Sequence, residues 1–460
     1  MDFEHIDHIF DEQKCLFASG KTLPIDFRKA RLHDLANAIS RWEKPLCEAL
    51  WTDLHKSYEE AYLTETSIVQ AEIRDALRHV SRWSKRERKR ASLSVLPSRS
   101  FVVKEPLGTA LIIAPWNYPM QLLLSPLVGA IAAGCTAILK PSPYVPHVSE
   151  VIAKMIGESF SEDYIAVVQG HREVNTHLLE KPFDLIFYTG SPSVAHTVME
   201  AAAKHLTPVV LELGGKSPCI VDRDADIEVA AKRIAWGKTL NSGQTCIAPD
   251  YILIHQEVKE AFVEAFRRQL IVLHGNDVQQ SPHYVRMVSD KAFNRVCSYL
   301  QQGEILCGGR FDPNDRFIEP TLIDHVDLNS PVMQQEIFGP IFPVITLDDK
   351  DSSFADKVIS FVNSRPKPLA FYYYGNKRTA WQVIRHTSSG GACINDDIMH
   401  IVNTHMPFGG VGNSGMGCYH SQQSFEAFTH RRSVLVSPRH FDLPIRYMPY
   451  KMFKFVKKLV

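Results

Sequence analysis

The sequence predicts an α/β protein made of two lobes, each a parallel sheet covered on both faces by helices. Three observations carry this reading. After residue 100, short apolar runs recur, each closed by Gly, Pro or a charge, with helical stretches between them. A second series of the same texture covers roughly 215–395. The 460 residues are 45% hydrophobic and 22% charged, ordinary globular values that exclude disorder, collagen and coiled coil. A chain of this length predicts about three units of ~150 residues each.

In chain order, the N-terminal MDFEHIDHIFDEQK is acidic and lacks a basic segment followed by an apolar run, so no secretory signal is expected. Residues 27–93 read as helical, with Leu32, Leu35, Ala36 and Ile39 at helical spacing. The run Lys85 to Arg90 closes that region and reads as a solvated helix face. A nucleic-acid patch would need more basic residues interleaved with aromatics. The strands of the first series are FVVKEPLG, TALIIAP, CTAILKP, YIAVVQG, FDLIFYTG, PVVLELGG and SPCIVD, with helices at 148–159 and 194–206. The stretch Leu122 to Leu139 carries no charge over 18 positions and could be mistaken for a membrane span. Pro126, Gly129 and Gly134 divide it, so a buried helix, a break at Gly134 and a core strand Thr136–Leu139 fit better. The second series has helices near 226–240 and 257–273 and strands YILIH, FPVIT, LAFYYY and GACIN. No fixed-period repeat is visible.

Lys+Arg 51 balances Asp+Glu 51, which argues against a dedicated nucleic-acid binder. Nine cysteines without a CxxC pair fit reduced thiols in a cytosol. Twenty histidines show no HExxH or HxxxH spacing, so no metal site is expected.

Four segments carry candidate chemistry. In FDLIFYTGSPSVAHTV, a strand meets Gly190 and a helix starts with Ser191 as N-cap and Pro192 at the first position. A free helix N-terminus after a glycine turn is an anion or pyrophosphate site, though many α/β turns look alike and GxGxxG is absent. Glu212 stands near a strand end before Gly214-Gly215, where α/β active sites gather, or is an ordinary strand-end charge. Cys246 lies in NSGQTCIAP among small polar neighbours, which suits an accessible nucleophile, whereas Cys135 and Cys219 look like inert core. Asn117 follows an apolar strand in APWNYP and is either an oxyanion donor or a turn-satisfying Asn.

Taken together, APWNYP, AILKPS, FYTGS, LELGGKSP, NSGQTCIAPDY, MQQEIFGP and MPFGGVGNSGMG, in this order, resemble the aldehyde dehydrogenase superfamily over about residues 10–455. INDDIMH, YHSQQSFEAFTH and IRYMPY look like its class 3 branch, which includes fatty, aromatic and bacterial carotenoid-aldehyde oxidisers. The resemblance implies two Rossmann-like lobes and a small β bridging element. It places a cofactor-binding domain at 1–80 and 105–212, a catalytic domain at 213–400, a bridging element at 81–104 and 415–445, and a basic aromatic tail at 446–460. It makes Cys246 the nucleophile and Glu212 the general base, with Asn117 and the Cys246 N–H as the oxyanion hole. Lys140 and Glu336 would hold ribose hydroxyls, Gly190 and Ser191 the pyrophosphate, and Phe338 the nicotinamide end. Ala195 departs from a second glycine that the family's phosphate turn often has. Tyr118 and Trp236 are expected to line an apolar substrate funnel or simply to pack.

The implied activity is NAD(P)-dependent oxidation of an apolar aliphatic or aromatic aldehyde to the acid. The alternatives are a coenzyme A-acylating enzyme and a non-catalytic binding protein. NAD-preferring relatives commonly read KPSE where this chain has Lys140-Pro141-Ser142-Pro143, so loss of the acid predicts comparable use of NADP. A cytoplasmic homodimer is implied, with a tail from Arg446 that packs or touches membrane weakly.

Overall fold

The computed structural model describes residues 2–442, 446–450, 453–454 and 457. Its architecture is α/β, with two mainly parallel sheets as expected. The first sheet has six strands, in the spatial order Gly415–Met416, Val209–Leu213, Leu185–Gly190, Thr109–Ile113, Thr136–Lys140, Ile165–Val167. All pairings are parallel except that of the two-residue edge strand. The second has seven, ordered Glu304–Cys307, Thr321–Asp324, Ile341–Leu347, Tyr251–His255, Pro218–Val221, Ala370–Tyr374, Gly391–Ile394. Its central strands are buried along their whole length, which is why they read as unbroken apolar runs such as YILIH and AFYYY.

The uncharged stretch folds as expected. Gln121–Ala133 is a helix with every residue buried, and Gly134 ends it in the left-handed region at φ 96° before Thr136–Lys140 begins. Among the described residues no helix is long and apolar enough to cross a membrane. The helices expected at 148–159, 194–206, 226–240 and 257–273 form as Pro146–Ser159, Pro192–Ala203, Ile227–Thr239 and Lys259–His274.

Four expectations change. SPCIVD leaves the first series, because Pro218–Val221 lies in the second sheet between Tyr251–His255 and Ala370–Tyr374. The helical stretch 27–93 is not continuous: helix Ile25–Leu54 stops at His55, which takes φ 58°, and a π-turn at Tyr62–Thr66 precedes helix Ser67–Trp83. The basic run is not a helix face, because Glu87–Lys89 is a short strand with exposed cations. FVVKEP does not join a parallel sheet. Arg99–Pro106 pairs antiparallel with Glu87–Lys89 and Thr429–Val436 in a separate three-stranded sheet. The helix Phe3–Ala18, unanticipated, anchors through Gln13, whose Nε2 donates to the carbonyls of Ala137 and Glu162.

Candidate active site

Two cavities meet at Cys246. The first, of about 260 Å³, is lined by Asn117, Gly190, Ser191, Glu212, Glu336 and Phe338 among others. The second, of about 460 Å³, is lined mostly by apolar side chains, including Leu63, Trp236, Ile398 and Val402, with Tyr118 at its wall. Cys246 and Leu122 line both. Of the residues singled out in the sequence, only Lys140 borders neither cavity. It is 1% exposed at a strand end, its Nζ donates to the carbonyl of Pro141, and burial brings its pKa down to about 8.

The loop carrying Cys246 is held in an unusual shape. Asn241 and Ser242 take φ 50° and 53°, a left-handed turn that costs energy for residues with a Cβ. Hydrogen bonds hold it there. The Asn241 N–H donates to Glu60 (2.9 Å), and Asn241 Nδ2 donates to the carbonyls of Asn117 and Gln244 (3.0 Å each). Gln244 is fully buried, donates to Asn241 and Arg286, and accepts from the Val288 N–H. Tyr118 and Thr245 share a hydroxyl bond of 2.7 Å beside the cysteine. Asn117 Nδ2 donates to the Gln244 carbonyl at 3.0 Å, which fixes the amide orientation and leaves its second hydrogen available.

Burial dominates the electrostatics. It pushes the Cys246 thiol up to about 12, with the carboxyls of Glu336 and Glu212 adding to the rise. Glu212 is held well above the ordinary carboxyl value by burial, and neither of its oxygens has a hydrogen-bond partner among the described residues. Cys135 and Cys219 are buried inert thiols, as expected, both raised by desolvation.

The first cavity fits a dinucleotide on its own chemistry. Ser191 and Pro192 occupy the N-cap and first helical positions, yet the Ser191 hydroxyl meets Ser193 (3.1 Å) rather than capping the helix, so the terminal amides are left for another acceptor. Burial raises Glu336 to about 8, and its Oε1 lacks a partner among the described residues, so it can accept from hydroxyls. A Cβ at Gly214 would run into that carboxyl group, which explains a glycine there.

Sequence reasoning missed Arg295, which lines this cavity and donates to the carbonyls of Glu336 (3.2 Å) and Ile337 (2.8 Å). A single arginine on an eight-residue helix gives no signal of such a role. Trp116, inside the APWNYP motif, packs edge-on against Phe338 at 5.4 Å. Phe338 itself takes φ 49°, a strained backbone at the cavity wall.

Comparison with known proteins shows the family of the chain. The aldehyde dehydrogenase family model matches residues 1–434. The chain belongs to the aldehyde dehydrogenase family. It is 45% identical over 456 residues to the 4,4'-diaponeurosporen-aldehyde dehydrogenase of Staphylococcus aureus, covering 98% of each chain. It is 43% identical over 433 residues to the dimeric NADP-preferring aldehyde dehydrogenase of Mus musculus, covering 94% of each. The solved substrate-bound Staphylococcus aureus AldH superposes with a TM-score of 0.96 at 44% identity, over 99% of each chain. The chain is therefore an oxidoreductase that oxidises aldehydes with NAD or NADP, of the branch its motifs resemble.

Proposed function

We propose that Cys246 is the nucleophile of this oxidation, that Glu212 is the general base, and that Asn117 with the Cys246 N–H forms the oxyanion hole. The observation that carries the reading is the position of Cys246, which borders both the polar cavity holding Glu212 and the apolar cavity beyond it. In this account the aldehyde enters from the apolar side and the Cys246 thiol releases its proton to solvent. The resulting thiolate Sγ attacks the carbonyl carbon, forming the C–S bond of a thiohemiacetal as the carbonyl π electrons move to oxygen. The free hydrogen of Asn117 Nδ2 meets the developing oxyanion. Conversion of the thiohemiacetal to a thioester on Cys246 needs a hydride acceptor, which a bound oxidised nicotinamide would supply together with its positive charge. Glu212 then takes a proton from the water that hydrolyses the thioester, and the acid departs. A raised carboxyl pKa suits that step, because it makes Glu212 a stronger base than an exposed carboxylate. Gly190, Ser191 and Glu336 would hold the dinucleotide, with Phe338 near its nicotinamide end, and Lys140 would reach a ribose hydroxyl only by leaving the Pro141 carbonyl.

The division of labour follows the sheets, save that Gly415–Met416 pairs with Val209–Leu213 in the first sheet. Residues 1–80 and 105–212 would bind cofactor, 213–400 would carry the nucleophile, and 81–104 with 415–445 would bridge to a second copy. Exposed Leu435 and Val436 on the outer strand of the three-stranded sheet support a homodimer. All nine cysteines are free, in keeping with a cytoplasmic setting. In the tail, Arg446 pairs with Asp442 at 2.9 Å, while Tyr447, Met448, Tyr450 and Phe453 are exposed, which supports weak membrane contact rather than packing. Lys451, Phe455 and Lys458 lie outside the described residues.

The substrate class is an apolar aliphatic or aromatic aldehyde, since Leu63, Ile68, Trp236, Ile398, Ile401 and Val402 offer it contact but no charge. NADH fluorescence with such an aldehyde, with and without coenzyme A, tests the reading. Free acid should form in step with NADH without coenzyme A. NADH formation that requires coenzyme A would contradict it and indicate acyl transfer to a thiol.

A further inference from the structure

A buried ion pair lies behind the oxyanion segment. Lys56 and Glu65 are each 0% exposed, and their charged atoms are 2.7 Å apart. Lys56 comes just after the end of helix Ile25–Leu54, and Glu65 sits in the π-turn Tyr62–Thr66, an irregularity that recurs at functional sites. Both partners reach the same short segment. Lys56 Nζ donates to the carbonyl of Asn117 at 3.1 Å and lies 4.3 Å from the centre of the Tyr118 ring. The other oxygen of Glu65 accepts from the N–H groups of Met120 (2.9 Å) and Gln121 (3.3 Å).

These contacts amount to a helix cap supplied from a distance. Met120 is the N-cap of helix Gln121–Ala133 and has no oxygen in its side chain, so the Met120 and Gln121 amides depend on Glu65, while the Leu122 N–H donates to the Tyr118 carbonyl. Lys56 neutralises that carboxylate and grips the other end of the segment. The backbone from Asn117 to Gln121 is thus held at both ends, while Asn241 secures the Asn117 carbonyl from the catalytic-loop side.

We propose that Lys56 and Glu65 are positioning residues for the oxyanion hole: they set the backbone of 117–121 so that Asn117 presents its amide beside Cys246. The inference rests on the oxyanion role of Asn117 given above. A buried ion pair is a costly way to fill space, and apolar replacements of similar volume are often neutral for stability. Retention of the pair is explained when its hydrogen bonds set the geometry of a reacting group, where small misplacements cost rate.

The test replaces the pair with Lys56→Met/Glu65→Leu and compares three readouts. Aldehyde oxidation and p-nitrophenyl acetate hydrolysis both pass through an oxyanion, whereas alkylation of Cys246 by iodoacetamide does not. The expected result is a loss of about tenfold or more in both turnover rates, with KM within about threefold and alkylation within about twofold of the parent enzyme. Asn117→Ala is run in parallel and combined with the pair variant, and the combination should lose no more than Asn117→Ala alone. If Asn117→Ala keeps full turnover, the oxyanion reading itself fails. If it loses turnover while the folded pair variant stays within threefold of the parent, the positioning inference alone is wrong. An equal fall in alkylation and turnover would also overturn it, since that marks general loosening of the loop. Should the double variant not fold, Glu65→Gln is judged by the same comparison.

Discussion

The two cavities that meet at Cys246 are built in opposite ways. The cofactor-side cavity is assembled from short motifs with polar groups at their centres: Asn117 in APWNYP, Ser191 after FYTG, Glu212 in LELGG and Glu336 in MQQEIFGP. The other is a surface of apolar side chains drawn from 63–71, 118–122, 236–247, 398–408 and Tyr419. Tyr118, Thr245, Ile247 and Phe408 fall inside quoted motifs, but the wall at 63–71 and 236–240 carries none. Chemistry needs particular atoms at particular points, so it leaves motifs, while an apolar wall needs only shape. The activity therefore follows from the first cavity and substrate preference from the second.

The largest effect that could break this contrast concerns the residue common to both sides. Cys246→Ser should abolish NADH formation, because a hydroxyl is far less nucleophilic than a sulfur at neutral pH. Retained turnover, measured by NADH fluorescence, would sink the mechanism. Next comes Asn117→Ala, where loss of one donor should cost kcat about 100- to 1000-fold with little change in KM.

The apolar side should respond differently. Ile401→Asp places a charge against the substrate wall and should raise KM for long apolar aldehydes while leaving short ones nearly unaffected. A fall in kcat for every aldehyde alike, in a length-series comparison of kcat/KM, would show that the two cavities are not functionally separate.

The smallest expected effect concerns cofactor choice. Pro143 follows buried Ser142 and is itself half-buried, and it brings no carboxylate to repel a 2′-phosphate. NADP and NAD should therefore differ by about tenfold or less in kcat/KM, roughly 1.4 kcal/mol. Pro143→Glu should restore a preference for NAD. A hundredfold preference for NAD in the parent enzyme would refute this.

What could be read from the sequence follows the same division. Gly134, Ser191 and Pro192 announced helix ends because backbone geometry restricts which residues serve there. The break at His55 was legible in Ser57-Tyr58-Glu59-Glu60, a capping-box spacing that restarts a helix and whose Ser57 hydroxyl accepts from the Glu60 N–H. The π-turn holding Glu65, by contrast, is imposed by buried partners and left no trace. The strand Glu87–Lys89 was hidden because an exposed charged edge strand shows no apolar alternation. Cys246 was found through its neighbours, but its high pKa was not, because small polar residues in sequence said nothing of how deeply the fold buries the thiol, nor of Glu336 and Glu212 converging on it.

That burial has a consequence in cofactor-free enzyme. With the thiol pushed up to about 12, it stays protonated at neutral pH and the thiolate fraction grows as pH rises towards that value. Alkylation by iodoacetamide should accelerate about tenfold per pH unit between 7 and 10. A plateau near pH 7 would indicate a preformed thiolate.

The central claim, that Cys246 and Glu212 act in successive steps, is tested most directly by rapid-mixing measurement of NADH with Glu212→Gln. The account predicts one burst of NADH per active site, followed by a stall with an acyl group on Cys246 detectable by mass spectrometry. Full steady-state turnover by Glu212→Gln would contradict it.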